Sequence, residues 1–192
     1  MEWREQKLLC ERQRPNDVVL QLGGNIGRSC VMSHKLGCQR NVCVEPNPSV
    51  LKYLRENARD TNIEVVPGII GKDQKPVYFD RAVGETALNA RTCDINATKQ
   101  QQTACKRKKD AVKVYSLASL NLQPSDITLL HIDCEGCAPQ FFRDYHPREF
   151  TNLKTLILEE DQGGNGVDYS SLKKDLAAQS FRCSSEGKLH TC

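Results

Sequence analysis

Apolar residues along this chain keep two rhythms, one near every second position and one near every third or fourth, and they alternate. Residues 2 to 13 are polar except for Trp3, Leu8 and Leu9, whose helical spacing predicts a short helix leaning on a core. "DVVLQL" at 17–22 is an apolar run that predicts a buried strand, and "RSCVMSHKLG" returns to helical spacing and stops at Gly37, a C′ residue by type. "NVCVE" predicts a second strand. In "PNPSVLKYLRENARD" Pro48 suits a first helical turn, with Val50, Leu51 and Leu54 as the apolar face. "IEVVPGIIG" predicts a third strand. Strand, helix, strand, helix, strand over some fifty residues is the rhythm of a parallel sheet covered by helices.

Between 84 and 110 the rhythm breaks. This stretch holds "QQQ" and "KRKK" and has little to bury, so it predicts a polar surface insert, which beside a ligand site can act as a lid. Order resumes with "VKVYSLASL" and then "DITLLHIDCEG", a strongly apolar strand ending in acids and glycine. "APQFFRDYHPREF" predicts a helix up to about Tyr145, because Pro147 pushes His146 out of the helical region. "LKTLILEE" predicts a fifth strand and "SSLKKDLAAQ" a helix capped by Ser170 or Ser171. "FRCSSEGKLHTC" predicts a terminal strand or a hairpin turning at Gly187. Together these elements predict one α/β domain over 1–192. Its sheet is doubly wound, mostly parallel with an antiparallel C-terminal strand or hairpin, and has helices on both faces.

At 192 residues and 39% apolar content, such a domain can bury a core. A net charge of +3 is too balanced for a dedicated nucleic-acid binder. No run approaches the roughly 20 apolar residues of a membrane helix, and the first 17 residues are too charged for a signal peptide, so the chain reads as soluble. Of the ten cysteines only Cys134 and Cys137 have zinc-module spacing. Cys30 and Cys43 fall within apolar segments and are expected as small buried hydrophobes. Cys93, Cys105, Cys183 and Cys192 are disulfide candidates if the compartment is oxidising, the secretory lumen for instance, where "NAT" at 96–98 would also matter as a glycosylation sequon.

The chemistry starts at "LGGNIG", a glycine turn at the carboxyl end of the first predicted strand, where a doubly wound sheet binds its ligand. A dinucleotide fingerprint starting at Gly23 needs glycine at 25 and 28, and the chain has Asn25 and Arg28, which weakens a nicotinamide oxidoreductase reading. "LGGNIG", "VEPNP" and "LLHIDCEG", in that order, resemble the FkbM type of class I S-adenosylmethionine-dependent methyltransferases over about residues 17–160. The resemblance implies a Rossmann-like methyltransferase fold and S-adenosylmethionine as cofactor. Carried over position by position, Gln21, Gly23, Gly24, Asn25 and Gly27 would surround its methionine end. Glu45, with Pro46 and Asn47, would meet the ribose, Gly68, Ile69 and Ile70 the adenine, and Asp133 the amino group or the acceptor.

Methyl transfer to an alcohol needs donor and acceptor in contact geometry and profits from a base. Asp133, Glu135, Glu159 and Glu160 are the candidates, with His146 behind them. The acids could also orient substrate oxygens through a divalent cation, although no run of ligands completes a metal site in the sequence. The expected partner is a small-molecule or glycan hydroxyl. Two departures from the pattern stand out: the family's first acid is Gln21, and its Lys before Ile-Asp is His131, expected as a strand histidine with a hydrogen-bond partner. Ala138 replaces a further acid. These departures leave room for a binding or regulatory module that kept the fold and lost turnover, and "CEGC" stays open among a redox pair, a loop variant and a structural bridge.

Overall fold

A computed structural model describes residues 2–73, 77–80, 91–93, 111–160, 169–179, 181–186 and 189–192. The predicted elements are present. Helix α1 (Glu2–Arg12) precedes β1 (Val18–Leu22), α2 (Arg28–Lys35), β2 (Arg40–Val44), α3 (Pro48–Asn57) and β3 (Ile63–Val66). Gly37 follows α2 at φ +81°, and Asn47 caps α3 by accepting from the Ser49 amide, with Pro48 in the first turn.

The predicted third strand is two. Pro67 and Gly68 end β3, and β4 (Ile69–Ile70) leaves the main sheet to pair in parallel with β8 (Val114–Tyr115). Close approach explains the break, since a Cβ on Gly68 would lie 2.3 Å from the Lys113 carbonyl oxygen. Strands β5 (Val77–Asp80), β6 (Arg91–Cys93) and β7 (Ala111–Val112) form a small antiparallel sheet. Apart from β6, the predicted insert at 84–110, with its lid, the sequon and Cys105, lies outside the described residues.

The chain then builds β9 (Leu129–Ile132), α4 (Ala138–Asp144), β10 (Thr155–Glu159) and α5 (Tyr169–Ala178), and closes with the hairpin β11 (Ser184–Glu186) and β12 (Leu189–Thr191). Ser170 and Ser171 therefore sit inside the first turn of α5 rather than capping it; the buried Tyr169 already belongs to the helix. His146 is extended (φ −60°, ψ 142°), as its following proline requires.

Seven strands make the main sheet, in the order β11-β12-β10-β9-β1-β2-β3. Pairing is parallel from β10 through β3, and β12 runs antiparallel to both β10 and β11. Because strand side chains alternate between faces, each strand splits its residues between two cores. One face carries Leu20, Leu22, Val42, Leu130, Ile132 and Leu156 against Phe141 of α4 and Leu172 and Leu176 of α5. On the other, Val19, Leu129 and Ile157 meet Leu9 of α1, while Cys43 meets Cys30 of α2 and Leu51 and Leu54 of α3. Order reverses between β1 and β9, which puts a crevice beyond their carboxyl ends.

Candidate functional site

That crevice is floored by the glycine turn. Its entry is forced by packing, since Gly23 sits at φ +90° and a Cβ there would overlap the Asp133 carbonyl oxygen at 1.7 Å. Gly24 rests on a disulfide: a Cβ would lie 2.4 Å from Cys43 Sγ, and Cys43 is bonded to Cys30. The expectation of two unpaired buried hydrophobes at 30 and 43 is thereby corrected. Both are fully buried, but α2 and β2 bring their sulfurs together across the sheet face, a meeting that apolar periodicity does not reveal. The Gly23 and Gly24 amides both donate to the Val44 carbonyl, at 3.0 and 2.9 Å, tying the turn to the end of β2.

Glu45 holds the turn from below. Its Oε2 accepts from the Asn25 amide at 2.8 Å and its Oε1 from the Asn47 amide at 2.7 Å. Burial pushes its pKa up while these two amides pull it down. Pro46 is half-buried beside it, and the Gly68 amide donates to the Glu45 carbonyl at 3.1 Å. Ile69 is half-buried, whereas Ile70 packs into the main core. Asn25 adopts φ +48°, and its Oδ1 is buried without a hydrogen-bond partner among the described residues. An unsatisfied buried acceptor is costly, and this one belongs to a residue lining a cavity of about 30 Å³ with Gly23, Gly24, Ile26, Arg28 and Asp133.

Glu5 and Gln6 of α1 also line that cavity, a contribution that sequence reasoning missed. Helix α1 buries Glu5 and Leu9, and Gln13 just beyond its end continues the line at four-residue spacing, whereas Trp3, expected to lean on the core, is 62% exposed. The signal was there in the spacing, but two of the three residues are polar.

Four acids were candidates for the base, and the structure separates them. Asp133 and Glu159, at the ends of β9 and β10, meet Glu5, and the three offer carboxylate oxygens within 4.8 Å of one another. Burial, and then a hydrogen bond with Glu159, push the Asp133 pKa up to about 10. Glu135 stands at φ +53° in the loop closed by the Cys134–Cys137 disulfide, near enough to raise it further by charge repulsion. Glu160 points elsewhere, ion-paired to Lys173 and 2.7 Å from His190 Nε2, contacts that hold its pKa below the ordinary carboxylate range. His146 instead caps a short 3-10 turn, accepting from the Arg148 amide.

His131 is, as expected, a buried strand histidine with a partner. A chain of amides fixes its tautomer. The Cys30 carbonyl accepts from Asn41 Nδ2 at 2.8 Å, Asn41 Oδ1 accepts from Gln21 Nε2 at 3.2 Å, and Gln21 Oε1 faces His131 Nδ1 at 3.3 Å. A backbone carbonyl can only accept, so the polarity runs outward and Nδ1 carries the proton. Complete burial pushes the ring's pKa down to about 4, and the 3.8 Å contact between Nε2 and Glu5 Oε2 is therefore not an ion pair at neutral pH.

No protein-family model and no curated protein matches this sequence. Solved structures do resemble the fold. One is the ribosomal protein L11 methylase of Lactobacillus delbrueckii subsp. bulgaricus, with a TM-score of 0.51 and 14% identity over 98% of this chain and 75% of that one. Another is the precorrin-6y C5,15-methyltransferase of Geobacter metallireducens GS-15, at 0.51 and 12% over 97% and 85%. A third, methyltransferase FkbM of Methylobacillus flagellatus KT, reaches 0.50 and 15% over 77% of this chain and 34% of that one. The class thus defined is a Rossmann-like methyltransferase fold, seven-stranded and mostly parallel with a terminal antiparallel hairpin.

Proposed function

We propose that the protein is an S-adenosylmethionine-dependent O-methyltransferase acting on a hydroxyl of a carbohydrate or small molecule. The observation that carries this reading is the unpartnered, buried Asn25 Oδ1 in a glycine turn at the point where strand order reverses. The residues suit the cofactor. Asn25 Oδ1 would accept from its ammonium group, and the start of α2, which has no side-chain cap, would receive its carboxylate. Glu45 lies twenty residues beyond the turn, at the place of an acid that meets ribose hydroxyls. The cofactor supplies a methyl group activated on a sulfonium. Within this chain, Asp133 and Glu159 are the groups placed to take a hydroxyl proton, and α1 lines one side of the cavity. The disulfides at Cys30–Cys43, Cys134–Cys137 and Cys183–Cys192 support an oxidising compartment.

Calorimetric titration with S-adenosylmethionine and S-adenosylhomocysteine, with NAD as control, tests the reading. Binding of both, weakened by Glu45→Ala, is the expected result. Absence of binding by folded protein would reject it. A second reading, a module of this fold without turnover, is favoured by one observation: the acid and base of the resembled pattern are replaced here by Gln21 and His131, which pair with each other at 3.3 Å. Binding without methyl transfer to any hydroxyl acceptor would select that reading.

A further inference from the structure

We propose that the Cys134–Cys137 bridge is a thiol–disulfide exchange site, opened in the folded protein by a dithiol, and that its state sets the shape of the loop packed against the glycine turn. The loop follows β9 directly: the Asp133 amide donates to the Leu22 carbonyl at 2.9 Å, and a Cβ on Gly23 would lie 3.1 Å from the Cys134 Cα. At its other end the Cys137 carbonyl accepts from the Phe141 amide at 2.9 Å, and Ala138 and Phe141 are buried in the core. Both flanks are thus held by contacts other than the bridge, and only Glu135 and Gly136 lie between the cysteines. These two stand at φ +53° and +97°. Glycine does so freely, but a glutamate in the left-handed region is disfavoured and stays there only where its surroundings hold it. The covalent ring across 134–137 is such a hold. As a staple for the whole fold the bridge contributes little, since its separation of 3 residues, against 13 and 9 for the other two, constrains the unfolded chain least. Cys134 and Cys137 are only partly buried, whereas Cys30 and Cys43 are fully so. A reachable bridge beside a strained residue is the kind that exchanges.

The dithiol alone balances the step. One of its thiolates attacks the Sγ of Cys134 or Cys137, the S–S bond breaks and a mixed disulfide forms; its second thiolate then displaces the remaining cysteine sulfur. Two cysteine thiols result, the dithiol becomes a disulfide, and its two protons pass to the cysteine sulfurs. With the ring open, Glu135 is free to leave the left-handed region and the loop to relax against Gly23. An effect on cofactor binding rests on the methyltransferase reading, whereas the exchange does not. In the full-length folded chain, with Cys10 blocked by N-ethylmaleimide beforehand, dithiothreitol is the probe, and acid quenching, alkylation and peptide mapping follow each bridge. Cys134–Cys137 should open about tenfold or more faster than Cys30–Cys43. The amide resonances of Gly23 and Gly24 should shift on opening and return on reoxidation, in the wild type and in Cys183→Ser/Cys192→Ser; in Cys134→Ser/Cys137→Ser they should no longer respond. Opening of Cys134–Cys137 only together with Cys30–Cys43, as the chain unfolds, would overturn the proposal, and so would opening that leaves both glycine amides unmoved. Titration of the closed and open forms with S-adenosylhomocysteine keeps the two readings apart: exchange with shifted glycines but no binding in either form overturns the methyltransferase reading alone.

Discussion

Gln21 and His131 are register partners across β1 and β9, and each replaces a charged residue of the methyltransferase pattern the sequence resembles. Seen in sequence they are two separate departures; in space they are one, an exchange of an acid and a base for a neutral hydrogen-bonded pair. The glycines are likewise fixed by neighbours more than by any ligand. Gly24→Ala should destabilise the fold by about 1–3 kcal/mol in urea titrations, since its Cβ must displace a sulfur. Gly23→Ala should cost more, because its positive φ and a backbone oxygen both oppose a side chain. Equal stability of the two variants would mean that the turn relaxes freely. Glu160 makes a pH-dependent contribution. Its folded pKa is lowered, so the unfolded chain binds protons first, and its contribution is complete above the ordinary carboxylate value of 4.5. It fades as pH falls through the lowered folded value. The gap in urea midpoint between the wild type and Glu160→Gln, worth about 1 kcal/mol at most for a pair this exposed, should therefore be present at pH 7 and close in acid.

Among the elements, α1 shows where sequence was legible and where it stopped. Helical spacing was readable, and the helix is there, but the face was misjudged because burial of Glu5 and Gln13 runs against hydropathy. Gln13 manages burial through paired hydrogen bonds with Ser33, its Nε2 donating to the carbonyl and its Oε1 accepting from the hydroxyl. Strands β1, β2, β9 and β10 were legible for the opposite reason: buried on both faces, they read as apolar runs. The division of β3 from β4 was not, since nothing local says that a Pro-Gly step hands the chain to a second sheet. Nor did the chain reveal that Glu159 joins Asp133 while Glu160 turns away, although strand alternation already implies opposite faces. Leu9 is the fully buried anchor of α1. Leu9→Ala should cost about 2–5 kcal/mol and speed amide exchange across 2–12 while leaving α4 protected. Uniform loosening of both helices would show that α1 is not an independent cover.

At the scale of the whole molecule, the sheet needs no bridge to form, yet three disulfides occur among the described residues, at the floor of the turn, beside the acids and in the terminal hairpin. The first ties helix α2 to the interior strand β2, the second closes the loop after β9, and the third staples the hairpin at the sheet edge. Cys30–Cys43 closes a separation of 13 residues, for which chain-entropy reasoning gives about 3 kcal/mol. Pairing of this kind has a direct chemical reading. In the native, unreduced protein Cys10, being exposed, should alkylate at once, and Cys38, buried and with its thiol pKa pushed up by desolvation, only after unfolding. The six paired cysteines should stay blocked in denaturant until a reductant is added, and peptide mapping should recover 30 linked to 43 and 183 linked to 192. Reduction should then lower the melting temperature and, because Gly24 rests on the first of these bridges, weaken cofactor binding beyond the loss of stability. Alkylation of Cys30 and Cys43 in unreduced, denatured chain would return both to the role of small buried hydrophobes. It would also remove the disulfide from beneath the glycine turn, and with it the support for an oxidising compartment.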